Sequence, residues 1–324
     1  MKAIQCVEWG GPERLRVADL PLPAPAAGEV RIRVAAAGVN FPDALIIQKK
    51  YQVQPQLPFV PGAEVAGTVD AVGEGVSGLR AGDTVVAFVG IGGFAEYVCA
   101  RKEQVAPLPP SVDLAVAAGF TLTYATSQHA LAGRGQLKRG ETLLVLGAGG
   151  GVGLAAVELG KLAGARVIAA ASSGEKLEAA RRLGADELID YSSTDLREAI
   201  RSLTDGRGAD VAYDPVGGAH TVAALRALAW RGRLLVIGFA AGEIPQLPAN
   251  LLLLKEVSAV GVYWGEFAKR DPAANRALLS QLFGWLSEGK LRPYVSKQYP
   301  LDETAQALQD LLARRAVGKL VIRP

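Results

Sequence analysis

The segment that decides the fold is Leu143-Leu144-Val145-Leu146-Gly147-Ala148-Gly149-Gly150-Gly151-Val152-Gly153. An apolar run of strand character ends in a cluster of glycines, and an Ala-rich stretch with helical spacing follows. Glycine lets the backbone turn tightly, and it lets an anionic group approach the main-chain N–H groups at the start of a helix. Ala148 stands at the first position of the usual G-x-G-x-x-G spacing, with Gly150 and Gly153 at the other two. The segment therefore predicts a phosphate-binding turn between a buried strand and a helix.

Strands and helices alternate on the C-terminal side of this turn. Strands are predicted at residues 142–146, 166–171, 187–189, 210–213, 233–238 and 257–263, with helices at 151–162, 175–183, 195–203 and 221–230. Strands that are apolar on both faces and separated by helices indicate a parallel sheet covered on both sides. Six of them in this order predict a doubly wound Rossmann domain.

The first third of the sequence has a different pattern. Short β-branched or apolar runs at residues 30–36, 65–72, 84–88 and 96–100 are separated by Gly and Pro, which predicts a small, mostly β, barrel-type domain. A helical stretch at 114–132 forms a bridge, and the tail adds helices at 275–287 and 303–313 and a closing strand at 319–322 that rejoins the first domain. The predicted domains are 1–124 plus 266–324 and, inserted between them, 125–265.

Composition narrows the class of protein. Half of the 324 residues are hydrophobic and the formal net charge is +3, with Lys and Arg scattered rather than in a stripe, so no nucleic-acid partner is expected. Cys6 and Cys99 are the only cysteines, and His129 and His220 the only histidines, which predicts neither a disulfide framework nor a Cys/His metal cluster. No stretch has the apolar length of a signal peptide or a membrane span, and a cytoplasmic protein without a membrane partner is predicted.

The end of the second predicted strand indicates which dinucleotide binds. A site that prefers NAD places Asp or Glu there to hold the ribose 2′-hydroxyl, whereas this chain has Ser172 and Ser173, followed by Lys176. Hydroxyls and an ammonium suit a 2′-phosphate, and Tyr191 after the third strand closes the same pocket, so NADPH is favoured. In the alternative interpretation the serines cap the next helix; and if Glu175 reached the ribose, NADH would be tolerated.

Several further motifs carry a resemblance to a known family. They are AGVNFPD at 37–43, PFVPGAEVAG at 58–67, GGFAEY at 92–97, YDPVGG at 213–218 and GKLV at 318–321. With the glycine turn, they make the whole chain resemble the zinc-independent, zeta-crystallin-like quinone oxidoreductases of the medium-chain dehydrogenase/reductase superfamily. The resemblance implies an α/β fold in which a Rossmann domain is inserted in a GroES-like, mostly β barrel-type catalytic domain.

The resemblance also implies the absence of zinc. Zinc-dependent members of the superfamily carry a cysteine where Asn40 stands and a histidine where Ala63 stands. Glu64 alone cannot supply a tetrahedral zinc site, so no metal is predicted. Without a Lewis acid the substrate must accept hydride readily, as quinones and α,β-unsaturated carbonyls do.

Asn40 and Tyr51 are the catalytic residues that the resemblance implies, at the nicotinamide end of the cleft. Asn40 is expected to orient the carboxamide of the cofactor or the carbonyl of the substrate, and Tyr51 to donate a hydrogen bond or a proton. The structural alternatives are a turn-stabilising asparagine and a half-buried packing aromatic. Lys49-Lys50-Tyr51 departs from the family, which has a glycine before this tyrosine.

Cofactor contacts are predicted from the glycine turn, from the second strand and from the resemblance. These residues are Asn40, Thr123, Gly150, Gly151, Val152, Gly153, Ser172, Ser173, Lys176, Tyr191, Val216, Gly217, Phe239, Ala240, Tyr263 and Lys319. Tyr263 and Lys319 also have structural alternatives. Tyr263 is explained as well by packing at a subunit contact, and Lys319 as a residue that ends a strand.

The predicted function is therefore the zinc-independent, NADPH-dependent reduction of a small electrophile, most simply a quinone. A reductase of enones, enals or enoyl thioesters is the first alternative. A non-catalytic NADPH-binding protein, crystallin-like or RNA-binding, is the second. A homodimer is expected, since the apolar edge at 257–264 needs covering.

Overall fold

A computed structural model describes all residues from 1 to 324. The strands are β1 (Lys2–Gln5), β2 (Arg16–Asp19), β3 (Glu29–Val39), β4 (Glu64–Val72), β5 (Thr84–Phe88), β6 (Tyr97–Arg101), β7 (Val105–Pro107), β8 (Thr142–Leu146), β9 (Arg166–Ala171), β10 (Glu187–Asp190), β11 (Ala209–Asp214), β12 (Leu228–Val236), β13 (Ser258–Gly261), β14 (Val295–Pro300) and β15 (Lys319–Arg323). The helices are α1 (Phe41–Ile47), α2 (Leu114–Ala118), α3 (Thr121–Gln128), α4 (Gly151–Leu162), α5 (Gly174–Arg182), α6 (Leu196–Leu203), α7 (Gly218–Arg226), α8 (Ala249–Lys255), α9 (Trp264–Arg270), α10 (Pro272–Ser287) and α11 (Thr304–Leu312), with a π-helical turn at His129–Arg134. No helix is long and apolar enough to cross a membrane.

The chain divides into two compact units. Unit 1 comprises residues 1–122 and 293–324, and unit 2 comprises residues 123–292. The sequence placed the return to the first domain at 266. In the structure the stretch 266–292, which holds most of α9 and all of α10, groups with unit 2.

Unit 1 is built on a seven-stranded sheet. Its strands run in the order β14-β15-β3-β4-β5-β7, with β6 also paired to β3, and every pair except β14 with β15 is antiparallel. The inward residues of β3, among them Val30 and Ile32, are fully buried in one apolar core. The closing strand β15 lies between β14 and β3 in this sheet.

Unit 2 is built on a six-stranded parallel sheet in the order β10-β9-β8-β11-β12-β13. This is the order of a dinucleotide-binding fold, with its topological switch point between β8 and β11. All five residues of β8 are buried, because helices cover both faces of a central parallel strand. The doubly wound architecture predicted from the alternating pattern is confirmed.

The predicted boundary between the fourth helix and the fifth strand of the alternating pattern is wrong. The helix expected at 221–230 ends at Arg226, and β12 already begins at Leu228. Leu228 pairs with Ala209 of β11, and both side chains are fully buried. The apolar run at this point fits either period, and pairing with the neighbouring strand decides in favour of β structure.

Candidate functional site

The glycine turn lies at the carboxyl end of β8, where the sequence predicted it. Gly150 precedes α4 in an extended conformation, and no side chain caps the helix. The first N–H groups of a helix have no partner within the helix, so those of Gly151 and Val152 are left to bind a ligand. A Cβ atom on Gly153 would lie 2.2 Å from the carbonyl oxygen of Gly147, so the helix packs against the turn at a distance that only glycine permits.

Gly149 is also required by packing. A Cβ atom at this position would lie 2.4 Å from Cβ and 2.5 Å from Cγ of Lys176. The stem of Lys176 therefore crosses the glycine turn in van der Waals contact with it, and its Nζ atom lies 3.4 Å from Oγ of Ser172. Sequence spacing predicted a role for Lys176 but not for Gly149, because the contact joins residues of two different loops.

The neighbouring loop, after β11, is held by a buried carboxylate. Asp214 accepts hydrogen bonds from the backbone N–H groups of Val216 and Gly217 at 2.8 and 3.0 Å, and from the hydroxyl of Thr221 at 2.5 Å. Gly217 has φ = 81°, which favours glycine. Asp214 lies in the YDPVGG motif, and no role was predicted for it, but its hydrogen bonds fix the shape of the loop.

The predicted cofactor residues of two loops come together here. Ala240 donates a backbone hydrogen bond to Pro215 at 3.0 Å. A Cβ atom on Gly217 would lie 3.1 Å from the ring of Phe239, and one on Gly147 would lie 2.9 Å from Cγ2 of Val216. The segments that follow β8, β11 and β12 therefore form one continuous lining at the switch point, where α/β sheets bind ligands.

The end of β9 carries the groups expected to select the dinucleotide. Ser173 precedes α5 without making a side-chain cap, so its hydroxyl is not used in the way the capping interpretation required. Tyr191 is joined to Ala171 of β9 by a backbone hydrogen bond of 3.1 Å, and its ring packs on that of His220 at 4.4 Å between centroids. His220 was given no role from the sequence, and the structure places it as a support for Tyr191.

Two predicted contacts lie elsewhere in unit 2. Thr123 is buried at the start of the unit, in the helix whose Ser127 hydroxyl donates to the carbonyl of Val152 at 3.0 Å. Tyr263 is 50% exposed, whereas the adjacent Trp264 is buried and donates from Nε1 to Asn275 at 2.9 Å. Trp264 is therefore a packing residue, and Tyr263 is the accessible member of the pair.

Unit 1 contains a second cluster of chemically active groups. Asn40, Asp43, Glu64 and Lys319 are all at least 95% buried. Glu64 begins β4 and Lys319 begins β15, and both strands pair with the end of β3, which leads into Asn40. We call these four residues the Asn40 cluster. A Cβ atom on Gly38 would lie 2.4 Å from Oε1 of Glu64, so this glycine makes room for the carboxylate.

Asn40 makes a hydrogen bond to each of the other three residues of the cluster. Its side-chain nitrogen donates to Oε1 of Glu64 at 2.9 Å and to the carbonyl of Gly38 at 3.3 Å. Its side-chain oxygen accepts from Nζ of Lys319 at 2.7 Å. Its backbone N–H donates to Oδ2 of Asp43, in the first turn of α1, at 2.8 Å. Asn40 is thus a turn residue and an ordered polar side chain at once.

Asp43 is the member of the cluster with the most perturbed acidity. Burial raises the pKa of its carboxyl to about 7, against the opposing effect of the Asn40 N–H and the Lys319 ammonium, while Glu64 raises it further. Its Oδ1 atom has no hydrogen-bond partner. A buried carboxyl in that position favours its neutral form.

Tyr51 lies in the loop after α1, half-buried against the apolar core of unit 1. The two lysines before it take different conformations. Lys49 has φ = 58° and places its ammonium 5.8 Å from the ring centre of Trp9, and Lys50 donates to the side chain of Gln48 at 3.0 Å. The loop that departs from the family pattern is therefore fixed by local contacts.

The donor set of the cluster does not fit a zinc ion. Zinc in proteins is held by thiolate, imidazole and carboxylate groups. Here an amide and a methyl group stand at positions 40 and 63, and the carboxylate of Glu64 is paired with the ammonium of Lys319 at 3.1 Å. A second cation would meet the positive charge of Lys319. The glycine turn, by contrast, fits a dinucleotide, because no side chain caps the backbone N–H groups at the start of α4.

Comparisons with known proteins agree with this division. Residues 26–110 match the alcohol dehydrogenase GroES-like domain, and residues 151–281 match the zinc-binding dehydrogenase domain. Quinone oxidoreductase-like protein 2 homolog of Nematostella vectensis is 40% identical, over 99% of this chain and 88% of its own length.

Solved structures are similar over the whole chain. The quinone oxidoreductase of Escherichia coli, complexed with NADPH, has a TM-score of 0.94 and 28% identity, and the match covers all of both chains. A mycobacterial protein, also complexed with NADPH, has a TM-score of 0.93 and 35% identity with the same coverage.

A GroES-like domain joined to a six-stranded parallel sheet with a glycine turn defines a class, the medium-chain dehydrogenases/reductases. Within that class, the chain belongs to the quinone oxidoreductase family. The resemblance identified from the motifs is thereby confirmed, as is the predicted combination of domains.

Proposed function

We propose that the protein is an NADPH-dependent oxidoreductase that reduces quinones without a metal ion. The observation that carries the proposal is the glycine turn of unit 2, crossed by the stem of Lys176, with the uncapped start of α4 beside it. Backbone N–H groups and the positive end of a helix suit a pyrophosphate. The ammonium of Lys176 and the hydroxyls of Ser172 and Ser173 suit a 2′-phosphate, and no acidic residue stands at the end of β9 to bind the ribose of NADH instead. The similar proteins of Nematostella vectensis and Escherichia coli are named quinone oxidoreductase-like protein 2 homolog and quinone oxidoreductase, and these names support the same activity.

The overall reaction is quinone + NADPH + H⁺ → hydroquinone + NADP⁺. The cofactor, when bound, supplies hydride to the quinone. We assign Asn40 to the orientation of the reacting groups and the phenol of Tyr51 to the developing charge on the substrate oxygen, where it donates a hydrogen bond or a proton. Since the donor set around Asn40 does not fit zinc, these hydrogen bonds take the place of a Lewis acid.

The proposal is tested by following the oxidation of NADPH and of NADH with saturating 1,4-benzoquinone, and separately with a simple enone. Enzyme treated with a chelator is compared with untreated enzyme. We expect rapid turnover of NADPH with the quinone, slower turnover of NADH, and no effect of the chelator.

Each other outcome would lead to a different assignment of function. Turnover with the enone alone would move the assignment to double-bond reduction. Tight binding of NADPH without turnover of either substrate would favour a binding protein. Loss of quinone reduction after chelation would refute the metal-free assignment.

We also propose that two copies of the chain pair through β13. This strand is the outer edge of the six-stranded sheet, and its backbone is unpaired on one side. The adjacent helix α8 exposes Leu253 and Leu254 by 78% and 66%. Edge strands flanked by apolar surface need covering, and a second copy covers both patches with one symmetric interface.

The protein's location is also part of the proposal. The two unpaired cysteines support a reducing, cytoplasmic location.

The dimer is tested by light scattering on the wild type and on Ala259→Asp, which places a charge in the exposed edge strand. We expect a dimer for the wild type and a monomer for the variant. Lys297→Asp, on a different sheet, is the control and should remain dimeric. A monomeric wild type would refute the proposal.

A further inference from the structure

A buried hydroxyl, that of Ser127, contacts the first turn of α4 from the interior of unit 2. Ser127 lies on α3 and is completely buried. Its Oγ atom donates a hydrogen bond to the carbonyl of Val152 at 3.0 Å. The phenol oxygen of Tyr213, which is also completely buried on β11, lies 2.9 Å from the same Oγ atom. These two contacts join the central sheet, α3 and the helix that follows the glycine turn.

The two hydrogen bonds can run in only one direction. A hydroxyl has one O–H donor, and a carbonyl oxygen can only accept. Because Ser127 gives its proton to the carbonyl of Val152, the bond between the two hydroxyls must be donated by Tyr213. Burial raises the pKa of the Tyr213 phenol, so the phenol keeps the proton that it donates. The hydrogen bonds therefore run from Tyr213 through Ser127 to Val152.

This chain of hydrogen bonds leads to an N–H group at the start of α4. The carbonyl of Val152 and the N–H of Gly153 belong to the same planar peptide group. The first N–H to bond to a carbonyl at the helix start is that of Leu154, which donates to Gly150 at 2.8 Å, so the N–H of Gly153 is one of those without a partner in the helix. A hydrogen bond accepted by a carbonyl polarises its peptide group and strengthens the N–H as a donor, by about 10–30% per bond.

A second buried hydrogen bond joins the same two helices farther from the glycine turn. The phenol of Tyr124 donates to Oε2 of Glu158 at 2.6 Å, and Oε1 of this carboxylate accepts from the backbone N–H of Arg292 at 2.6 Å. Glu158 lies about two turns into α4, beyond the N–H groups of the first turn. The two contacts of α3 with α4 therefore differ in place, and only that of Ser127 reaches the start of the helix.

We propose that Ser127 and Tyr213 are positioning residues for the first turn of α4, where they hold and polarise the peptide group between Val152 and Gly153 so that its N–H binds a phosphate of the dinucleotide. This inference rests on the proposed function, which brings a dinucleotide to the glycine turn. Since Ser127 is completely buried, it acts through the backbone of α4 and not by touching the ligand.

Two adenosine ligands that differ by one phosphate test the proposal. Adenosine 2′,5′-bisphosphate carries the 2′-phosphate and a phosphate at the position where the pyrophosphate begins, whereas adenosine 2′-monophosphate carries the 2′-phosphate alone. Their dissociation constants are measured by titration calorimetry with the chain of 324 residues, and the ratio of the two constants reports the contribution of the 5′-phosphate. We expect a ratio of about 10 or more in the wild type, as for at least one hydrogen bond to a charged group.

Three variants test the origin of this ratio. Ser127→Ala removes the donor to Val152, and the ratio should fall by about threefold to tenfold. Because this variant leaves the phenol of Tyr213 without its acceptor, the double variant Ser127→Ala/Tyr213→Phe, which leaves no unsatisfied hydroxyl, provides the test if the single variant does not fold. Tyr213→Phe alone keeps the bond from Ser127 to Val152, and its ratio should fall by less than about twofold.

Tyr124→Phe is the matched control, since it removes a buried hydrogen bond between the same two helices and leaves the first turn of α4 unchanged. It should lower the melting temperature and keep the wild-type ratio. If Ser127 only stabilises the fold, the ratio will stay at the wild-type value in Ser127→Ala or the double variant, or will fall equally in Tyr124→Phe. Either result, or a wild-type ratio of about 1, would overturn the inference and leave the proposed function intact. Failure of the wild type to bind NADPH would instead refute the proposed function, and the inference with it.

Discussion

Replacing Lys176 by methionine should remove the preference for NADPH with little effect on the fold. Methionine keeps an unbranched apolar stem that can lie against Gly149, where the lysine stem now makes contact. Only the ammonium is lost. A hydrogen bond between a charged donor and a phosphate contributes about 1.5–3 kcal/mol. Lys176 is partly exposed, so screening by solvent and salt places the effect near the lower end. We expect KM for NADPH to rise about tenfold.

The assay is steady-state oxidation of NADPH and NADH with 1,4-benzoquinone at about 0.05 M and about 0.5 M salt. KM for NADH should stay within about twofold of the wild type, because its ribose carries no phosphate. The NADPH effect should shrink at the higher salt concentration. Lys138→Met removes an exposed lysine on the amino-terminal side of β8, away from the glycine turn, and serves as the control. An unchanged KM for NADPH, or an equal rise for both cofactors, would refute the assignment of Lys176 to the 2′-phosphate.

Three further perturbations test the packing of both units. Gly153→Ala places a methyl group 2.2 Å from a backbone oxygen, so the dinucleotide affinity and the melting temperature should both fall. Gly284→Ala in α10 is the control, since open space surrounds this glycine, and it should be neutral or stabilise the protein by about 0.5–1 kcal/mol. Asp43→Asn tests the carboxyl whose pKa is raised to about 7. Because the folded protein binds this proton more strongly than the unfolded chain does, the free energy of unfolding of the wild type should fall as the pH rises from about 4 to about 7. Relative to the variant, we expect a fall of about 2–4 kcal/mol in urea titrations. A difference that is constant with pH would contradict this. Tyr124→Phe removes the donor that lies 2.6 Å from the buried carboxylate of Glu158, and calorimetry should show a loss of about 1–3 kcal/mol; no loss would mean that the pair contributes nothing.

The parallel sheet and its glycine turn could be predicted because their signals are local. The predicted bounds 142–146, 151–162 and 166–171 coincide with β8, α4 and β9, since a fully apolar run and a cluster of glycines mark each boundary. The short helix α8 was missed. Its Ala-Asn-Leu-Leu-Leu-Leu-Lys sequence is apolar without helical periodicity, and none of its residues is buried within the chain.

The candidate site was predictable in part. Glycines, serines and Lys176 fall at fixed offsets from the strands, so their placement follows from the pattern. The partners of Lys319 do not, because they lie 279 and 255 residues away, at Asn40 and Glu64. A sequence shows no sign of which distant strands will pair. The exclusive donor and acceptor chemistry around Asn40 is visible only once β15 lies beside β3.

The position of β15 has a consequence for the order in which the molecule is assembled during synthesis. All residues of unit 2 lie before residue 293, but the sheet of unit 1 also needs β15, at Lys319–Arg323, which follows unit 2 in the chain. Without β15, β3 has an open edge, and the amide of Asn40 lacks the ammonium that orients it. A chain that lacks β15 would therefore contain every residue of unit 2 and still lack the ammonium of Lys319 beside Asn40.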